Sequence, residues 1–104
     1  MTIRPIMGQV DIRCRHVRAH GLVQGVGFRE SCVRYAQEHG IAGWVRNRTD
    51  GSVEALLQGS PEALVQMCEW LRRGVPGARV DALEVVPMTS AFEHLEGFDR
   101  LATL

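Results

Sequence analysis

Gly43-Trp44-Val45-Arg46-Asn47-Arg48-Thr49-Asp50-Gly51-Ser52-Val53-Glu54-Ala55-Leu56-Leu57-Gln58 is the stretch whose reading decides the fold. Asp50-Gly51 is a strong hairpin signal, because the tight turn joining two strands calls for residues that tolerate positive φ. The sequence on either side reads as strand. In the second strand Val53, Ala55 and Leu57 recur with period two and share one face. In the first, the same period points Val45 and Asn47 together, while Trp44 points the other way and reads as packing.

A helix is predicted on each side of this hairpin. Upstream, Phe28, Cys32, Tyr35, Ala36 and His39 fall at helical spacings, and Gly40 supplies a stop. Downstream, Ser60 before Pro61 matches an N-cap and first helical position, Leu64, Met67, Cys68 and Leu71 form one stripe, and Gly74 ends the helix. Ile12 to His20 reads as an opening strand despite its interspersed arginines. Arg79 to Val86, closed by Pro87, reads as a further strand, and Gly97 to Leu104 as a weaker terminal one pairing at an edge. The order strand, helix, strand, strand, helix, strand predicts an α+β fold of the ferredoxin-like split βαβ type (βαββαβ), an antiparallel sheet with two helices on one face. Residues 1–10, with Pro5 and Gly8 and no periodicity, are expected to be a flexible lead-in to a single domain over 11–104.

Charge and composition narrow the function classes. The 104 residues carry 12 basic and 12 acidic side chains, so an anion has to be captured by local geometry rather than by a broad positive field. This argues against nucleic acid as a partner. No apolar run approaches the ~20 residues of a membrane-spanning helix, and the opening residues lack a signal-peptide core, so the expected location is cytoplasmic with no membrane partner. Cys14, Cys32 and Cys68 contain no C-x-x-C pair, and His16, His39 and His94 lack metal-ligand spacing. The cysteines are expected to be reduced packing residues, and neither a metal nor a cofactor is predicted. A Cys14–Cys32 disulfide remains a rarer alternative in a cytosolic setting.

Between the opening strand and the first helix stands Gly21-Leu22-Val23-Gln24-Gly25-Val26-Gly27-Phe28-Arg29, with three glycines in seven positions. Glycines at positive φ let successive backbone N–H groups converge on one point as an anion nest, and a helix N-terminus beside it adds unpaired N–H groups. Arg29 at the junction can offer two parallel hydrogen bonds to phosphate oxygens, which a lysine cannot. A glycine-rich loop alone is weak evidence, and no Gly-Lys-Ser/Thr follows as a nucleotide P-loop requires.

The order and spacing of two motifs carry more. Gly21-x-Val23-Gln24-Gly25-Val26-Gly27-Phe28-Arg29 resembles the signature of the acylphosphatase family, and Gly43-Trp44-Val45-Arg46-Asn47 followed by Asp50-Gly51-Ser52-Val53-Glu54 resembles its second motif. The resemblance covers roughly Val17 to Val86. It implies metal-independent hydrolysis of the carboxyl–phosphate bond of a small acyl phosphate, with inorganic phosphate as product and inhibitor. It also implies that the backbone of Val23, Gln24, Gly25, Val26 and Gly27 binds the phosphate, that Arg29 clamps it, and that Asn47 orients the attacking water. Leu22 departs from the family, where arginine is frequent, and weaker substrate affinity is the expected consequence. A carboxylate is a good leaving group, its conjugate acid having a pKa of about 4, so this spare set of groups is chemically sufficient.

Two readings of Asn47 stand side by side: the water-orienting one, and a hairpin residue that favours the turn. His20 borders the loop, but with no evident partner carboxylate it is not expected to be a general base. Arg13, Arg15, Arg18, Arg46 and Arg48 read either as a basic surface or as solvated charges. An RNA-recognition module has the same element order but needs stacking aromatics that Ser52 to Gln58 lacks. A metal-carrying chaperone of this fold needs a close cysteine pair. A module of larger carbamoyl-transfer machinery is the nearer alternative; a free-standing enzyme, monomeric by default, is the expectation for a chain of this length.

Overall fold

The computed structural model describes residues 11–89 and 92–104. The expected lead-in over 1–10 lies outside them. The elements run β1 (Arg13–Leu22), α1 (Phe28–Glu38), β2 (Ala42–Asn47), β3 (Val53–Gly59), α2 (Pro61–Arg73), β4 (Arg79–Pro87) and β5 (Phe98–Arg100). The strands form one sheet in the order β4-β1-β3-β2-β5.

Period two in the strands divides the sheet into two faces. Val17, Ala19, Val45, Val53, Ala55 and Leu57 are buried against Phe28, Cys32 and Ala36 of α1 and Leu64, Met67, Cys68 and Leu71 of α2, so both helices cover one face with a single core between. The Ser60 side chain accepts from the Ala63 N–H with Pro61 at the first helical position, which is the predicted cap. His16, Arg18, His20, Trp44, Arg46 and Glu54 carry the alternate positions on the other face.

The sheet is mixed, which corrects the expectation of an antiparallel one: β5 runs parallel to β2, pairing Gly43 with Phe98 and Val45 with Arg100. The physical reason is the route of the chain. β4 lies at one edge and β5 at the other, so the stretch leading into β5 lies across the sheet instead of turning back on β4. It is fastened there by Gln58, whose amide donates to the Glu93 carbonyl at 2.6 Å and accepts from the Leu95 N–H at 2.8 Å. Gln58 and Cys14 are thereby buried, although they lie on the face away from the helices.

Strand β1 extends past its predicted end at His20. Gly21 belongs to the strand rather than to the loop: at φ 126°, a Cβ there would stand 2.3 Å from the Arg79 carbonyl oxygen of β4. This glycine serves close strand approach at a register shift, not the anion nest.

Candidate functional site

The C-terminal ends of β1 and β2 and the N-terminus of α1 meet at one end of the sheet. Val23 and Phe28, both buried in the core, bracket the loop between them, and Gly25 and Gly27 each take φ 77°. Only glycine enters this region cheaply; an L side chain there costs roughly 1–2 kcal/mol. Among the described residues, none of the backbone N–H groups from Gln24 to Gly27 donates to a carbonyl. Gly27 caps α1 without a side chain, so the first-turn N–H groups of the helix are open as well. Open donors of this kind beside a positive helix end are suited to binding an anion.

The pocket at this loop, about 230 Å³, is lined by Val23, Gly25, Gly27, Phe28, Arg29, Glu30, Asn47 and Arg100. Arg29 is half-buried, and the ion pairs among the described residues leave it out. Asn47 ends β2 on the same face as Val45, as its alternation predicts, and its Oδ1 is buried with no partner among the described residues. A buried amide oxygen without a partner normally costs about 1–3 kcal/mol, so a purely structural asparagine would be expected to satisfy it. The structure thus brings together the loop, Arg29 and Asn47.

Three side chains at the site have contacts that the sequence reading did not assign. Gln24, expected to serve through its backbone, uses its side chain as well: the amide donates to the carbonyls of Arg48 at 2.8 Å and Ser52 at 2.9 Å, tying the loop to the β2–β3 turn that carries Asn47. Glu30 and Arg100 line the pocket and pair at 2.9 Å across 70 residues of sequence. Only the acidic residue in a first helical turn hinted at the former.

Several other groups lie away from this chemistry. His20 does have a carboxylate partner, Glu84, contrary to the sequence reading, but the pair is on the sheet face opposite the helices. Arg15 reaches toward Cys68 on the helix side while Arg13 pairs with Asp11, so the arginines form no single basic surface. The three cysteines are free and buried, and burial pushes the Cys32 thiol up to about 12, which removes it as a nucleophile near neutrality. Among the described residues no group of three or more His, Cys, Asp or Glu side chains is positioned to hold a metal ion. Neither described helix is long and apolar enough to cross a membrane.

Comparison with known proteins agrees with this geometry. The profile of the Acylphosphatase family matches residues 15–99. The acylphosphatase of Polaromonas naphthalenivorans is 56% identical over 88 residues, which span 85% of this chain and 87% of that protein. Among solved structures, an acylphosphatase from Coxiella burnetii superposes with a TM-score of 0.81 at 34% identity, covering 86% of this chain and 93% of that one. One from Bacillus subtilis gives 0.78, also at 34%, over 88% and 99%.

Proposed function

The chain belongs to the acylphosphatase family, and from that premise we propose that it splits acyl phosphates into carboxylate and inorganic phosphate in the pocket between the β1–α1 loop and the end of β2. The observation that carries this reading is the loop from Gln24 to Gly27, whose N–H groups donate to no carbonyl and whose Gly25 and Gly27 line a pocket together with Arg29 and Asn47.

The loop and the α1 N-terminus hold the phosphoryl oxygens, and the Arg29 guanidinium makes two parallel bonds to them. The buried Asn47 Oδ1 accepts a hydrogen bond from water and aims its oxygen at phosphorus. The phosphoryl group passes through a loose transition state, so positioning and charge stabilisation supply most of the acceleration. The carboxylate departs without a strong general acid, and the residues present ask for no metal ion. The enzyme acts as a monomer on a small acyl phosphate, and the phosphate it releases competes with substrate.

Phosphate release from acetyl and benzoyl phosphate tests this directly. Turnover is expected, with competitive inhibition by inorganic phosphate and no effect of EDTA. Loss of activity in EDTA, restored by a divalent cation, would overturn the metal-free route.

A further inference from the structure

The proposed phosphate pocket adjoins a larger cavity of about 380 Å³ between α1 and β5, whose lining includes Glu30, Gln37, Asp99 and Arg100. Glu30 and Arg100 line both spaces and so mark the boundary between them. The Arg100 Nη1 donates to Glu30 Oε1 at 2.9 Å, which fixes the guanidinium at that boundary. This bond uses only part of a five-donor fork, and the side chain is 48% exposed, so further donors face the cavities.

If the loop and Arg29 take the non-bridging phosphoryl oxygens, the bridging oxygen and its acyl group point out of the nest. The adjoining cavity is where such a group finds room. We propose that the α1–β5 cavity receives the acyl group and that Arg100, held by Glu30, is a catalytic residue that stabilises the departing carboxylate. This rests on the acyl phosphate hydrolase reading. In the step concerned the water oxygen bonds to phosphorus, and the bond from phosphorus to the acyl oxygen breaks. The electron pair stays on that oxygen as carboxylate, and both water protons leave on the dihydrogen phosphate formed. Negative charge therefore grows on the leaving oxygen at the boundary, where a guanidinium offers charge-assisted bonds.

The experiment compares wild type, Arg100→Gln and Arg100→Lys on benzoyl phosphates whose ring substituents vary the acidity of the parent acid. Arg100→Gln is expected to lower kcat/KM by about 10-fold or more for the most basic leaving carboxylate, and by progressively less for better leaving groups. The dependence of rate on leaving-group acidity steepens, phosphate inhibition stays within about 3-fold, and lysine restores part of the loss. A structural defect cannot produce that graded pattern. An equal loss across the series, an unchanged rate, or a parallel loss of phosphate binding would each remove Arg100 from the leaving-group role. Gln37→Trp, an exposed change that narrows the cavity, should raise KM for benzoyl phosphate more than for acetyl phosphate, and equal effects would overturn the acyl-site assignment. An inactive wild type would sink the hydrolase reading itself, so the two failures are distinguishable.

Discussion

At the residue scale, the proposed mechanism assigns holding to Arg29 and reacting to Asn47. Asn47→Ala removes the water-orienting acceptor while the loop and Arg29 keep the phosphate, so kcat should fall by about 10² to 10³ with phosphate affinity nearly intact. Arg29→Lys should do the reverse in kind, losing phosphate affinity together with turnover, because a point charge cannot reproduce the guanidinium fork. Steady-state kinetics, a phosphate titration and a melting curve on both variants separate these outcomes. Near-normal turnover in a folded Asn47→Ala protein would reduce that residue to the turn-forming role its position before Asp50-Gly51 also allows. The roles of these two residues were legible through the two-motif resemblance; local rules placed Arg29 at a loop-to-helix junction and Asn47 in step with Val45 without deciding what either does. Arg100 was not, because its meaning depends on Glu30, 70 residues away, and no local pattern encodes that approach.

At the element scale, the loop and the hairpin are separate pieces of chain that have to keep one geometry. Gln24 supplies the tie, with its single amide bonded to two carbonyls of the turn. Gln24→Ala would remove two hydrogen bonds, each contributing about 0.5–1.5 kcal/mol, and would loosen the loop against Asn47, although the Arg48 and Ser52 carbonyls keep the backbone N–H groups of Gly51 and Arg48 as donors. We expect both a lower melting temperature and a lower kcat. Gln24→Glu should behave similarly, since a carboxylate cannot donate to either carbonyl. A normal kcat in Gln24→Ala would mean that the core anchors Val23 and Phe28 position the loop unaided. The sequence showed every element of the sheet and both helices through periodicity and capping residues, yet not the direction of β5. Three residues with one buried side chain, Phe98, have no periodicity to read, and strand direction was set by the chain's crossing over Gln58.

At the scale of the whole molecule, zero net charge hides a segregation of charged groups by sheet face. The helix side of the sheet end holds the pocket lined by Arg29 and Asn47. The opposite face gathers His16, Arg46 and Arg48 around Glu54, with contacts of 2.6, 3.8 and 3.3 Å. Burial alone would raise the Glu54 carboxyl above its usual 4.5, but the hydrogen bond from His16 and the charges of His16, Arg48 and Arg18 outweigh it and hold the group below that value. A carboxyl depressed in the folded state adds stability that is fully present above its unfolded value and is lost as pH falls through its folded value. Glu54→Gln should therefore lower stability at pH 7 by about 1–3 kcal/mol, several degrees in melting temperature for a domain of this size. The penalty includes leaving the Arg18 and Arg46 Nε atoms, buried and without a hydrogen-bond partner, short of their countercharge. The gap between the two melting curves should narrow as pH drops below the ordinary carboxylate range, because wild type then protonates and loses the same interaction. Turnover at neutral pH should stay close to that of wild type, since Glu54 lies on the face away from Arg29 and Asn47. A gap that persists unchanged into acid would show that Glu54 acts through packing rather than charge, and a large loss of kcat would show that the two faces of the sheet are coupled.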